Sequence, residues 1–339
     1  MAFETEDYQA RELMRDLHGA KPAVYWTDFL LTAVVGWTSF AAAVMLRPYS
    51  PGMLFAAAAA AAGLYRGLCF IHEISHQNHR AMPRFEAAWN LLAGYPLLMP
   101  SFVYVGVHQS HHKVSTYGTS QDPEYLPFAR NSAMTVLFAL ESFLIPVALA
   151  IRFLVLSTIG FVSPSFQKWL VVHFSSLTMN LAYRREATPE LVRTVRIQSG
   201  LVLLLWLGFA AMVWADILPG RFFAVWLGVS AAISFVNTLR TLGAHAYEGA
   251  GDPMDREGQL RDSIDTPGAL WTELWAPVGL RYHALHHYFP GIPYHNLSKA
   301  WRRLSAKLPH GAVYHRVRSR GLAHSLCALY RKGRQSKPR

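Results

Sequence analysis

Cysteine is nearly absent: Cys69 and Cys327 stand far apart and outside any Cys-x-x-Cys pair. That excludes a disulfide framework and a zinc-ribbon or rubredoxin-type module. Charge is scarce too, at 16% of residues where soluble domains carry about a quarter. Residues 1–24 are polar and acidic and hold no apolar stretch of a signal peptide. The chain lacks a Gly-rich dinucleotide fingerprint, a His-Pro-Gly-Gly haem-binding stretch and a Cys-rich cluster for iron and sulfur. It also lacks internal repeats. A redox reaction in such a chain therefore needs electrons from a separate protein.

Apolar residues fill the space, at 52%. Four segments are long enough to span a bilayer, which takes about 20 apolar residues: 25–46, 53–71, 197–215 and 222–239. The first two are joined by Arg47-Pro48-Tyr49-Ser50-Pro51-Gly52, the last two by Asp216-Ile217-Leu218-Pro219-Gly220-Arg221. Pro and Gly in such short links predict two helical hairpins, and Trp26 and Trp214 near the ends suit an interfacial belt. A fifth apolar stretch, 133–156, contains Glu141, Pro146 and Arg152. Each charge at mid-bilayer costs about 2.5–3.5 kcal/mol on insertion scales, so this stretch is expected to lie in the interface or re-enter. Every Lys and Arg except Arg47, Arg66 and Arg221 then falls on one side, which the positive-inside rule makes cytoplasmic. The net charge of +11 thus faces an anionic membrane surface rather than nucleic acid.

Histidine is abundant, and its spacing carries the chemistry. Of sixteen histidines, eight fall in three clusters on the proposed cytoplasmic side. These are His72-Glu73-Ile74-Ser75-His76, His108-Gln109-Ser110-His111-His112 and His283-Ala284-Leu285-His286-His287. Residues three and four apart share a helix face, so each cluster is expected to aim its imidazoles at one place. Eight imidazoles exceed the roughly four ligands that one zinc ion takes, and two ions are the economical reading. Imidazole suits Zn, Cu, Fe and Ni alike. His245 follows the fourth span on the same side and is a ninth candidate. His79 extends the first cluster as a possible extra ligand. Glu73 and Asp122 are candidates for holding ring N–H groups in one tautomer.

The three boxes, their order and the paired spans resemble the membrane fatty-acid desaturase/hydroxylase superfamily, over about residues 25–305. Asn90, Gly94, Asp122-Pro123-Glu124, Trp275-Ala276-Pro277, His287-Tyr288-Phe289-Pro290 and Pro293-Tyr294-His295 extend the similarity toward bacterial acyl-lipid desaturases. The resemblance implies two irons held by the boxes, completed by a histidine after the fourth span, here His245. It implies O₂ as co-substrate and an external donor of the ferredoxin, rubredoxin or cytochrome b5 kind. The substrate would be a membrane lipid or an acyl chain on CoA or acyl carrier protein. Acyl-CoA desaturases of animals place an Asn one helical turn before the extra histidine. Here Thr241 stands there and Asn237 is the nearest Asn, so both are candidates for further contacts to a metal. The implied reaction is desaturation, with hydroxylation, ketolation or terminal-alkene formation as alternatives on the same site.

Two other readings compete. His72-Glu73-x-x-His76 also matches the zinc metalloprotease signature, with Glu73 as general base, but leaves the other clustered histidines idle. A membrane metal carrier would place its ligands near mid-span rather than at span ends. The expected protein is all-α and integral to the membrane. Its four transmembrane helices form two hairpins, and a cytoplasmic helical cap holds a di-metal site. Residues 1–24 form an N-terminal segment, 25–305 the catalytic domain and 306–339 a basic, solvated tail.

Overall fold

A computed structural model describes residues 2–77, 80–249 and 251–336. Every regular element is helical, and among the described residues the β-pairing is limited to isolated bridges such as His245 with Ser263. Two long apolar helices come first, α1 over Pro22–Met45 and α2 over Pro51–His76. Each has Pro in its first turn, where the absent N–H costs nothing, and Ser50 caps the second by accepting from Met53 N–H at 3.2 Å. They pack closely because Gly36 and Gly63 face each other. A Cβ on Gly63 would lie 2.9 Å from the Gly36 Cα, so only glycine fits.

Three more helices are long and apolar enough to cross a membrane: α3 over Ser132–Val162, α4 over Pro189–Trp214 and α5 over Phe222–Leu242. The chain is an integral membrane protein with five such helices where four were expected. The additional one, α3, extends the apolar stretch 133–156 by the turns Ser157–Val162. Pro146 opens a fresh helical turn after a short 3₁₀ segment, and Glu141 is solvent-exposed. Buried Arg152 gives its Nε to Phe174 O at 2.6 Å and its Nη1 to Ser157 Oγ at 2.9 Å.

Between the spans runs a segment that periodicity did not reveal. From Phe85 the chain turns through a short helix and the wide turn Asn90–Gly94, then reverses at Tyr95-Pro96 deep among the spans. Indole N–H groups satisfy its free carbonyls. Trp37 donates to Leu92 O (2.7 Å), Trp206 to Tyr95 O (3.2 Å) and Trp226 to Pro96 O (2.9 Å), while Trp89 donates outward to Gly67 O (2.8 Å). Trp37 lies fifteen residues into α1, on the order of 20 Å along its axis. Irregular backbone at such depth requires internal hydrogen bonds. Trp206 and Trp226 also meet edge to face at 4.6 Å, so α4 and α5 touch through large aromatics rather than closing as a tight hairpin. Asn90 then bonds Ser101 by both of its amide atoms, at 2.8 and 2.7 Å. That bond sets the return of the chain toward the second box. Gly94 is required there, since a Cβ would sit 2.9 Å from Met99 O.

The shorter helices gather at the histidine end of α2 and α5. The N-terminal helix Ala2–Met14 buries Ala10 and Met14 against Leu285, Tyr288 and Tyr314. Its Glu6 carboxylate accepts from Val313 N–H and Tyr314 N–H, at 2.8 and 3.2 Å. Leu322–Gln335 is helical and docks: Leu329 packs with Leu242, and Gly333 abuts the backbone of Asn131 and Ser132. The segment expected as a basic, solvated tail is helical through Gln335, with Arg331, Lys332 and Arg334 exposed. Arg66 pairs with Asp28 (2.6 Å) and Glu273 (3.0 Å).

Candidate metal centre

Each box sits on a helical turn near a span end. His72 and His76 occupy the last turns of α2. His108–His111 and His283–Tyr288 are short helices, with His112 just past the first of them. Six of these eight side chains are buried, and His76 and His112 are half-buried. The sequence spacing suggested that each box serves one place, and for the second and third boxes the structure differs. On these short helices the residues four apart, His108 with His112 and His283 with His287, stay together, and the middle histidine of each box turns to the other group. The boxes therefore straddle two centres. His72, His76, His108 and His286 form one group; His111, His245, His283 and His287 form the other. Within each group the ligand atoms all lie within 4.8 Å of one another.

His112 joins the first group, its Nε2 lying 3.0 Å from His108 Nε2 and 3.1 Å from His286 Nε2, while its ring stacks on His287 at 4.2 Å. In the second group His283 Nε2 lies 2.8 Å from His245 Nε2 and 3.1 Å from His287 Nε2. Ring nitrogens roughly 3 Å apart match two metal–nitrogen bonds of about 2.0–2.1 Å meeting near a right angle.

For three rings, His108, His111 and His245, the contacts at the back explain why Nε2 faces inward. His111 Nδ1 lies 2.9 Å from Asp122 Oδ1, and Asp122 is itself pinned by the N–H groups of Gly118 and Glu124. His108 Nδ1 meets Glu124 Oε1 at 2.9 Å and Tyr104 Oη at 3.0 Å. His245 Nδ1 meets Tyr117 Oη at 2.9 Å, and Tyr117 donates to Asp262 at 3.0 Å. Fixing Nδ1 leaves the Nε2 lone pair for a metal. Asp122 thus stands where an imidazole orienter is expected. Glu73 does not: its carboxylate accepts from Tyr25 Oη and from Tyr294 N–H (3.0 Å), and its nearer approach to His72 Nδ1 is only 3.8 Å. That geometry ties α2 to α1 and to the loop after the third box. It also turns Glu73 away from the water-activating role of a zinc protease.

Glu124, Tyr104, Tyr117 and Asp262 were not singled out by sequence. Their imidazole partners lie 4 to 128 residues away, and only the adjacency of Glu124 to Asp122 hinted at one of them. Asn237 accepts from Arg240 at 2.9 Å and the Thr241 carbonyl accepts from Tyr247 Oη at 3.0 Å; both residues line a cavity beside the first group. His79 lies outside the described residues. His295 accepts a hydrogen bond from Lys21 N–H at 3.2 Å and stays clear of both groups.

The donor set fits two cations. Burial above all, and then the neighbouring imidazoles, hold His108, His112, His286 and His287 well below the ordinary histidine range; His245 and His283 follow the same pattern. These rings are neutral and their lone pairs free. His111 is the exception: burial lowers its pKa, but the Asp122 carboxylate outweighs burial and raises it overall. Burial pushes Glu124 up to about 7 and Asp262 up to about 6. Both ring nitrogens of His72, and Nε2 of His76 and His111, are buried without any hydrogen-bond partner. Orphaned polar atoms cost free energy that coordination offsets.

Next to the first group lies a cavity of ≈160 Å³. His72 and Tyr104 form part of its wall, with Met99, Phe138, Ile145 and Ile233 among its apolar lining.

A helical membrane bundle enclosing two adjoining histidine groups beside a largely apolar cavity is the architecture of a membrane protein able to hold two metal ions. The chain belongs to the fatty acid desaturase family, whose model matches residues 48–319. It is 38% identical over 329 residues to a ceramide hydroxylase of Caulobacter vibrioides (strain NA1000 / CB15N), covering 96% of this chain and 93% of that protein. The family is one of di-iron enzymes.

Proposed function

We propose that this chain is an O₂-dependent di-iron hydroxylase acting on a long-chain membrane lipid of the ceramide class. The observation that carries this reading is the near full-length similarity to the Caulobacter ceramide hydroxylase. His72, His76, His108, His112 and His286 would hold one iron, and His111, His245, His283 and His287 the other. When bound, the irons supply O₂ activation: one oxygen atom enters a C–H bond and the other leaves as water, at the cost of two electrons and two protons. The chain's residues do the rest. Asp122, Glu124 and Tyr117 orient the rings at Nδ1. Apolar walls exclude water and place one methylene near His72.

The electrons come from a separate donor of the ferredoxin, rubredoxin or cytochrome b5 kind. Four helices span the membrane, and α3 lies across α4 and α5. In support, both of its ends meet residues near the histidine ends of those spans: Phe161 O accepts from Arg196, and Ser132 abuts Gly333 beside Leu242. An additional crossing between His112 and His245 would put the boxes on opposite sides, whereas their rings adjoin. The site and both termini face the cytoplasm, where nearly all Lys and Arg lie.

Desaturation is the second reading, supported by the family to which residues 48–319 belong. Hydroxylation and desaturation share a first hydrogen abstraction and divide on where the carbon is held. Mass spectrometry of lipids from cells expressing the wild type or His111→Ala separates them. A ceramide gaining one oxygen only with the wild type is the expected result. Acyl chains lighter by two hydrogens would replace hydroxylation by desaturation. Identical lipid profiles in cells that also carry a competent donor would sink both.

A further inference from the structure

The cavity beside the first centre is not uniformly apolar. Ser234, Asn237, Thr238 and Thr241 line it from α5, at the three- and four-residue spacing that shares one helix face. Arg240 joins them from the same two turns. Polar groups inside a span are costly and mark a functional path. Arg240 takes part in no ion pair among the described residues. Its Nη2 donates to Asn237 Oδ1 at 2.9 Å, and its Nε is buried with no partner. Glu124, whose carboxyl backs His108, faces the same cavity. The polar end therefore offers one cation, one carboxyl and an amide. That set presents donors and an acceptor together, which suits a neutral linkage bearing both an acceptor and a donor. The apolar walls formed by Met99, Phe138, Ile145 and Leu177 take the hydrocarbon.

We propose that Arg240, braced by Asn237, binds the carbonyl or hydroxyl oxygen of a lipid's amide linkage and so directs oxidation to a carbon near that linkage rather than to mid-chain. The polar stripe and His72 line the same cavity, so a linkage held at Arg240 and a carbon held at His72 share one chamber. Arg240 is a positioning residue, and its role rests on the hydroxylase reading above only for the identity of the reaction.

The test is binding to the purified full chain, read by displacement of a fluorescent short-chain ceramide. Competitors are an unlabelled ceramide, the free fatty acid of equal length and an analogue with the amide replaced by an ether. The wild type should bind the ceramide best. Arg240→Gln should weaken it about 10–100-fold, the range for losing a charge-assisted hydrogen bond, and Arg240→Lys should recover part of that. Equal ceramide affinity in wild type and Arg240→Gln overturns the proposal, as does tighter, Arg240-dependent binding of the fatty acid. If Arg240→Gln does not fold, the ether analogue decides with the unaltered protein: weak binding supports the proposal, and binding equal to ceramide overturns it. In the coupled reaction, tandem mass spectrometry should place the new hydroxyl within a few carbons of the amide, and a mid-chain hydroxyl contradicts the positioning. Arg240-dependent ceramide binding without any oxygenated product would uphold this subsite while removing the hydroxylase reading.

Discussion

At the scale of single residues, the site depends on what stands behind each imidazole. Asp122 is fully buried and bonds His111 Nδ1. Asp122→Asn keeps the shape but removes the charge that orients the ring, and metal affinity or turnover should fall about 10–100-fold. Glu73→Gln disturbs only the ties to Tyr25 and Tyr294, so it should lower thermal stability while metal per chain stays at the wild-type level. Asp265 makes a similar point about folding. Its carboxylate accepts from Leu285 N–H (3.1 Å) and Tyr314 Oη (2.7 Å), and burial pushes its pKa up to about 6. A carboxyl with a raised folded pKa binds its proton more tightly folded than unfolded. Its contribution is therefore full below about pH 4 and is lost as pH rises toward 6. Between pH 5 and 7 the wild type should lose on the order of 1–3 kcal/mol relative to Asp265→Asn, read from thermal midpoints in detergent. The box histidines themselves were legible from spacing alone. Their partners were not, because a hydrogen bond such as Tyr117 to Asp262 joins positions that no local pattern relates.

At the scale of elements, hydrophobic runs located the four long helices α1, α2, α4 and α5 to within a few residues at most ends. The exception is α4, which starts eight residues early, at Pro189, behind a Thr188 cap. Polar terminal turns carry no hydropathy signal, yet in α2 the last turns carry His72 and His76. The buried segment 85–98 was illegible because it is held by tryptophan N–H groups rather than by its own pattern. Trp226→Phe removes the donor to Pro96 O and should cost about 1–3 kcal/mol, the range for orphaning a buried acceptor, measured by unfolding. Gly63→Ala forces a methyl onto the Gly36 backbone and should destabilise the α1–α2 pair by about 1–3 kcal/mol.

At the scale of the molecule, the spans bring three boxes and His245 from positions up to 215 residues apart to one end of the bundle. The N-terminal helix and the helix Leu322–Gln335 close over that end. A site with room for more than one ion was expected from the sequence because eight clustered imidazoles exceed the needs of one, and the structure groups them into two sets able to hold metal. The division of the second and third boxes between two centres was not, since it depends on short helices crossing in space. The central claim is that these two histidine groups hold two irons in separable centres. Metal analysis of protein purified from iron-supplied cells tests it most directly, with His76→Ala and His283→Ala each expected to weaken one centre. The account expects two irons per wild-type chain and close to one in each variant. A single zinc per wild-type chain, or iron lost from both centres equally in both folded variants, would contradict it.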